Sequence, residues 1–240
     1  MNILRIIINS SHDPYLNLSL DEAILRCSDE SRSPSSLRLW VNRPSVIIGC
    51  SQTIDKAVHL EYCIEHNIEI LRRFTGGGAV YHDLGNLNWS FVSWTSELQF
   101  RGISLVYKYF GSLICKALNG AGFSTYFAPT NRIEIEGCKI SGMAGYFKRH
   151  AVLMHGTLLI STQLEPLNRI CKPPSGSPPV TNLQAHDSNT SVESITESIM
   201  IGLSKEGISL SVDQIRDHEM KLAKDLIENK YAKLSWNIGK

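Results

Sequence analysis

The 240-residue chain reads as an α+β protein, a mixed β-sheet with helices packed on its outer faces. Three observations lead there. Strand-like segments come in runs, at residues 37–49 and again at 123–143, instead of alternating one by one with helices. Apolar stripes at helical spacing are few and well separated, at residues 17–27, 105–121, 191–205 and 212–229. Neither Gly-x-x-x-x-Gly-Lys-Ser/Thr nor Gly-x-Gly-x-x-Gly after a strand occurs, so the commoner nucleotide-binding folds are not indicated.

In chain order, Ile3–Asn9 is rich in β-branched residues and reads as a strand. Residues 17–27 place Leu20, Ala23, Ile24 and Cys27 on one helical face. A polar loop over 28–36 leads to two strands, 37–41 and 46–49, around a turn at Asn42-Arg43-Pro44. Residues 60–67 form a short helix before a strand at 68–73, and 87–92 returns as another strand. From 105 to 121 an apolar and aromatic stripe that includes Val106, Phe110 and Ile114 marks a core helix, ended by Gly120 and Gly122. Strands follow at 123–127, 132–136 and 139–143, with Glu136-Gly137 as a hairpin turn, and then at 151–160. Four prolines between 172 and 179 require an extended loop, because proline neither continues a helix nor donates to a ladder. Two helices are expected to close the chain: 191–205, opened by Thr190 and Glu193, and 212–229, opened by Ser211 and Gln214.

A single domain over residues 1–240 is the simplest organisation at 42% hydrophobic and 20% charged residues. Twenty-four basic against 23 acidic residues leave a formal charge of +1, with no footprint for nucleic acid or an anionic membrane. The six cysteines form no Cys-x-x-Cys pair, and their scatter fits reduced thiols in the cytoplasm. No segment approaches the roughly 20 apolar residues of a membrane helix.

The stretch most suggestive of chemistry runs from Arg72 to Asn88, Arg-Arg-Phe-Thr-Gly-Gly-Gly-Ala-Val-Tyr-His-Asp-Leu-Gly-Asn-Leu-Asn. Gly76, Gly77 and Gly78 let backbone approach a partner and supply N–H groups for an anion nest, beside two arginines whose forked donors suit carboxylate or phosphate. The alternative is a tight hairpin with solvated arginines. A second stretch, Gly137-Cys138-Lys139-Ile140-Ser141-Gly142-Met143-Ala144-Gly145, carries a lysine that taken alone is an ordinary strand residue. His155-Gly156-Thr157 follows on the next strand.

These stretches, together with Asn17-Leu18-Ser19-Leu20-Asp21-Glu22-Ala23, Arg43, Pro44, Val46, Ile48, Gly49 and Gln52, resemble the lipoate protein ligase A family of the biotin and lipoyl ligase superfamily, nearest its archaeal-type catalytic subunits. The resemblance covers nearly the whole chain and implies that catalytic-domain fold. It implies activation of lipoate or octanoate by ATP, with magnesium, to an acyl-adenylate, and transfer of the acyl group to a carrier-domain lysine. Expected carriers are the E2 subunits of 2-oxoacid dehydrogenases, the glycine cleavage H protein or similar proteins. Lys139 takes the essential lysine's position; Ser141 and Gly142 belong to its motif, and His155, Gly156 and Thr157 to the family's His-Gly-Thr element. Arg73 and the backbone of Gly76 to Ala79 are expected to hold anionic groups, with Val46, Ile48, Val80 and Tyr81 along the acyl chain and Asn86 at adenine. Arg72, His82, Asp83 and Asn131 are expected to support that shell.

Two departures stand out. Many family members carry Asn-Asp before the lysine hairpin, whereas this chain has Asn131-Arg132, leaving Asp83, Glu134 or Glu136 as substitute metal ligands. Longer bacterial ligases continue past a Trp-x-x-Gly element into an accessory domain, whereas Trp236-Asn237-Ile238-Gly239 is followed here only by Lys240, so a separate small partner subunit is expected. Two other functions compete: a cysteine-dependent octanoyl or lipoyl transferase, for which Cys138 is the cysteine near the motif but alternates away from Lys139, and a non-catalytic lipoate-binding module.

Overall fold

The computed structural model describes residues 3–98 and 102–239. Its main sheet has eight strands. These are β1 (Ile3–Asn9), β2 (Ser36–Trp40), β6 (Asn86–Trp94), β7 (Thr125–Ala128), β8 (Arg132–Ile135), β9 (Cys138–Phe147), β10 (Ala151–Leu159) and β11 (Ser209–Val212), in spatial order β11-β1-β2-β6-β10-β9-β8-β7. β1 runs parallel to both β2 and β11, and the other neighbours are antiparallel, so the sheet is mixed as expected. A second sheet joins β3 (Ser45–Ile48), β4 (Glu69–Arg72) and β5 (Val80–His82) in the order β4-β3-β5. The two segments flanking Asn42-Arg43-Pro44 therefore do not pair with each other. β2 lies within the large sheet, and β3 turns away to start the small one.

The main sheet is covered on both faces because its strands bury both sets of alternating side chains. On one face Leu4, Ile6, Leu39, Trp89, Phe91 and Met154 meet α4 (Ile103–Gly120) and α6 (Val192–Lys205) in the largest core cluster. The stripe on α4 behaves as expected: Val106, Phe110 and Ile114 are fully buried, and Phe110 stacks on Phe91 at 4.7 Å. Burying one such ring contributes about 1.5–3 kcal/mol. On the other face Ile7, Val92 and Leu153 pack with Ile24 and Leu25 of α1 (Pro14–Asp29). That helix begins three residues before the expected stretch, because Asp13 accepts from the Tyr15 N–H and Pro14 fits the first turn.

The C-terminal third differs most from expectation. Residues 209–212 form β11, paired in register with Ile3–Ile6 of β1, and the helix α7 (Asp217–Leu226) starts later, with Glu219 capping the Arg216 N–H at 2.9 Å. Short alternation after Gly207 carries the strand signal, which a helical stripe beginning at Val212 obscures. α6 is capped by Ser191 and Ser194, one residue beyond the expected box. Further helices at Ile54–Ala57 (α2), Leu60–Glu65 (α3), Leu164–Ile170 (α5) and Leu234–Asn237 (α8) complete the chain, of which only α3 was expected. The Glu136-Gly137 turn is as anticipated, both residues having positive φ, 50° and 78°.

Candidate active site

A cavity of about 600 Å³ opens on the α1 side of the main sheet, between the glycine loop and the proline-rich strap at 172–179. Period-two alternation selects its floor: on β10 His155 and Thr157 face it, while Met154 and Leu158 enter the core. Asn88 of β6 and Lys139, Ser141 and Gly142 of β9 complete the floor. Leu18, Trp40, Ile47 and Val80 line its apolar part and belong to one hydrophobic cluster. The slot contacts expected of Val46 and Ile48 do not form, because both point into another cluster and Ile47, between them, faces the cavity. Tyr81 and Ala79 do line it.

In the glycine loop only Gly77 has a positive φ, 92°; Gly76 and Gly78 require no such freedom. Gly77, Gly78 and Ala79 face the cavity, and Gly76 contributes its carbonyl to holding the loop. Arg73 does that holding. Its Nη2 donates to the Gly76 and Gly78 carbonyls at 2.6 and 2.8 Å, its Nη1 to Ile47 O at 3.1 Å, and its Nε to Thr75 Oγ1 at 3.1 Å. Its charge therefore reaches the cavity through a shaped loop, and burial lowers its pKa to about 10. Arg72 turns the other way, donating to the carbonyls of Gly49, Gln52, Trp236 and Asn237. This ties the C-terminal Trp-x-x-Gly element to the base of the loop.

His155 is fixed from both ring nitrogens. Nδ1 lies 3.0 Å from the Asp21 carboxylate and Nε2 lies 2.8 Å from Thr75 Oγ1. Desolvation would raise the Asp21 pKa, but Arg38 and His155 outweigh it and hold the carboxyl below its ordinary value. An ionised Asp21 only accepts, so Nδ1 carries a hydrogen and donates it, while Thr75 Oγ1 accepts from Arg73 Nε and shares a short contact with Nε2. His82 lines the cavity with Nδ1 3.0 Å from Asn42 Nδ2, and its pKa is depressed to about 3 by burial and then by Arg73 and His155. Asp83 is turned to the loop behind, accepting from the Gly85 and Gln163 N–H groups.

Lys139 is half-buried and lies over Gly142, where an added Cβ would stand 2.8 Å from Nζ. Its peptide is stitched to the strap, N–H to Pro179 O at 2.7 Å and C=O from Thr181 N at 3.1 Å. Burial lowers its pKa, and Arg132 and Arg73 add to that. Gly142 N–H approaches Thr157 Oγ1 at 3.4 Å, and Gly156 admits no Cβ, since Trp89 would be 2.6 Å away. Ser141 Oγ is buried without a hydrogen-bond partner, and Asn131 donates to Met143 O at 2.6 Å. Asn86 does not line the cavity: its amide is buried against Asn88 at 3.1 Å, so the expected adenine contact has no support in the geometry. Cys138 also does not line it, whereas Cys171 does, with its thiol pushed up to about 12 by burial.

The donor set does not fit magnesium. No aspartate or glutamate lines the cavity, and no cluster of three metal-ligating side chains occurs among the described residues. Asp83 serves its loop, Glu134 is committed to Arg132 and Tyr126, and Glu136 is exposed at the hairpin.

Sequence reasoning did not single out Asp21, Thr75, Asn88 or Cys171 as part of this site. Arg38, alone between Leu37 and Leu39 in a buried strand, was the available signal for an ion partner beneath it.

Fold and cavity together define a class: a mixed-sheet α+β protein with one cavity that joins an apolar slot to a cation-lined part. The chain belongs to the lipoyl protein ligase A/B catalytic domain family, whose model matches residues 13–209. Lipoate–protein ligase 1 of Staphylococcus aureus is 34% identical over 164 residues, 68% of this chain but 48% of that protein, so this chain spans about half the length of that curated relative. Among solved structures, the bi-partite lipoate protein ligase of Thermoplasma acidophilum, studied with its E2 lipoyl domain, is 29% identical with a TM-score of 0.87, covering all of this chain and 97% of that one. A lipoate-protein ligase A bound with ATP gives 29% identity and a TM-score of 0.89 over all of this chain and 99% of that one. The fold is that of the lipoate ligase catalytic domain.

Proposed function

We propose that this protein is the catalytic chain of an AMP-forming lipoate–protein ligase. One observation carries the reading: a single cavity joins an apolar slot to a cation-lined part, with Lys139 in its wall and, among the described residues, no carboxylate in its lining. In the first half-reaction a lipoate or octanoate carboxylate oxygen attacks the α-phosphorus of ATP, the bond to the β-phosphate oxygen breaks, and pyrophosphate leaves. In the second, a neutral lysine amine of a carrier domain attacks the acyl carbon, AMP leaves, and an amide remains. Lys139 stabilises the negative charge that builds on phosphoryl and acyl oxygens and forms no covalent bond itself. The Gly77–Ala79 backbone, held by Arg73, positions the acid. Leu18, Trp40, Ile47 and Val80 exclude water from its chain.

Similarity to the Thermoplasma chain supports an E2 lipoyl domain as carrier, and the H protein presents the same chemistry. It also supports a separate small subunit, whose docking onto the Arg72-tethered C-terminal element would favour a loop competent for activation. Magnesium would enter on the nucleotide, since the walls offer it no carboxylate, and no step here depends on it. Cytoplasmic residence fits six free thiols and a need for ATP. The cysteine-transferase reading is disfavoured, because a Cys171 thiol with so high a pKa is a poor nucleophile and Cys138 lies outside the cavity. Pyrophosphate release on mixing the protein with ATP and lipoate separates the readings: a ligase gives it, whereas a transferase or a binding module does not.

A further inference from the structure

Four cationic side chains line the cavity, Arg73, Arg132, Lys139 and Lys172. Arg73 and Lys172 have no carboxylate partner and are held by protein carbonyls alone or with a hydroxyl, Arg73 by the glycine loop, Ile47 O and Thr75 Oγ1, and Lys172 Nζ by Asp55 O at 2.7 Å. Arg132 is held differently. Its Nε pairs with Glu134, and its Nη1 donates to Pro129 O at 2.7 Å. Glu134 is itself fixed by the Tyr126 hydroxyl at 2.8 Å, so a Tyr126–Glu134–Arg132 buttress orients the guanidinium from behind. Arg132 lies opposite Gly142 in the β8–β9 register, and Glu134 lies opposite Lys139. Two aimed cations thus share one hairpin, and the nearby carboxylate is turned away from the cavity. Glu134 offsets part of the Arg132 charge from outside the lining, but among the described residues no carboxylate faces these cations across the cavity, and gathering like charges there is unfavourable unless an anion completes the site.

We propose that Arg132 is a phosphate-binding residue of the nucleotide subsite, contributing positive charge where a carboxylate-held divalent ion would otherwise be required. The proposal rests on the ATP-dependent reading above and assigns one residue within it. Guanidinium and phosphate oxygens form short charge-assisted hydrogen bonds, and the pairing with Glu134 limits the rotamer freedom lost on binding.

Calorimetric titration of the whole chain with α,β-methylene-ATP, which cannot be cleaved to an adenylate, tests the assignment, run in EDTA and again with magnesium, with lipoate titrated separately. Arg132→Ala is expected to weaken nucleotide binding in EDTA by at least about tenfold, the size of one lost charge-assisted hydrogen bond. Lipoate affinity should change less than about twofold. Arg132→Lys, which keeps the charge but not the fork, should fall in between and guards against a folding defect in the alanine variant. Arg132→Asp should abolish binding in EDTA and recover part of it with magnesium, because it introduces the missing carboxylate. Unchanged nucleotide affinity in Arg132→Ala, or equal losses of nucleotide and lipoate, would overturn the assignment. Wild-type protein that binds lipoate but no nucleotide under either condition would instead overturn the ATP-dependent reading and the assignment with it.

Discussion

Replacing Gly49 by alanine tests how the glycine loop is held, at a residue that does not itself line the cavity. A Cβ there would stand 2.1 Å from Gly77 O and 3.2 Å from Gly76 C, and both are backbone atoms that no rotamer change can move. The loop must withdraw by at least about 1.3 Å to restore an ordinary contact of about 3.4 Å or more. That displacement pulls on the Arg73 bonds to Gly76 and Gly78 and on the 2.9 Å bond from Cys50 N to Thr75 O. Overpacking of this kind costs about 1–3 kcal/mol, and weakening one bond to a buried charged group adds about 1.5–3 kcal/mol. Together these are roughly 2.5–6 kcal/mol, which for a chain of this size lowers Tm by roughly 5–25 °C. Gly76→Ala and Gly78→Ala serve as controls, because an added Cβ there meets nothing within 4 Å and neither residue has positive φ. Both should stay within about 0.5 kcal/mol of wild type, so any loss of lipoate binding they show reports the close approach of ligand. Thermal unfolding and lipoate calorimetry on the three variants are the assay. The reasoning fails if Gly49→Ala melts and binds like wild type, or if Gly76→Ala proves the most destabilised of the three.

Three other expectations follow from the same contacts. The folded state keeps His82 neutral down to about pH 3 while the unfolded chain protonates it near its ordinary 6.5, so its contribution is complete above 6.5 and is lost progressively as pH falls toward 3. His82→Gln should therefore remove about 3 kcal/mol of the stability loss between pH 6.5 and 4, read from urea unfolding at both values, and an unaltered acid limb would contradict this. Asn237→Ala leaves the Arg72 N–H and Tyr231 carbonyl without their 3.0 and 2.7 Å partners and should cost about 2–4 kcal/mol, with lipoate affinity falling as the loop base loosens; a neutral effect on both would show that the C-terminal tether is idle. Cys138→Ser and Cys171→Ser should each retain activity, and Cys171 should resist alkylation near neutral pH, whereas a trapped acyl thioester on either cysteine would restore the transferase reading.

Most of the large sheet was legible because its strands obey period two and α4 obeys 3.6 over five turns. Pairing was not: residues 37–41 and 46–49 look like neighbours in sequence, and only tertiary contacts send β3 to β4 and β5. β11 was missed because four residues carry too little pattern to compete with an adjoining helical stripe. In the site, Lys139, His155 and Thr157, which the family resemblance singles out, line the cavity from regular strands. Arg73 was foreseen as a ligand of anions, yet its donors go to loop carbonyls, a distinction that motif letters do not carry. Asn86 and Asn88 show the limit of resolution. They lie two residues apart on one strand face and hydrogen-bond to each other, but only Asn88 reaches the cavity, because depth along the strand is set by what packs above it.

The central claim is that Lys139 supports adenylate formation, and single-turnover production of lipoyl-adenylate tests it most directly. Enzyme in excess over lipoate is mixed with ATP, quenched, and the acyl-adenylate is measured by mass spectrometry, so that even slow activation by the chain alone is detected. Lys139→Ala should fold normally, since the stitches to Pro179 and Thr181 use only its backbone. Wild type is expected to form the adenylate, and the variant to form it at least about 100-fold more slowly. An undiminished rate in a folded Lys139→Ala protein would contradict the account.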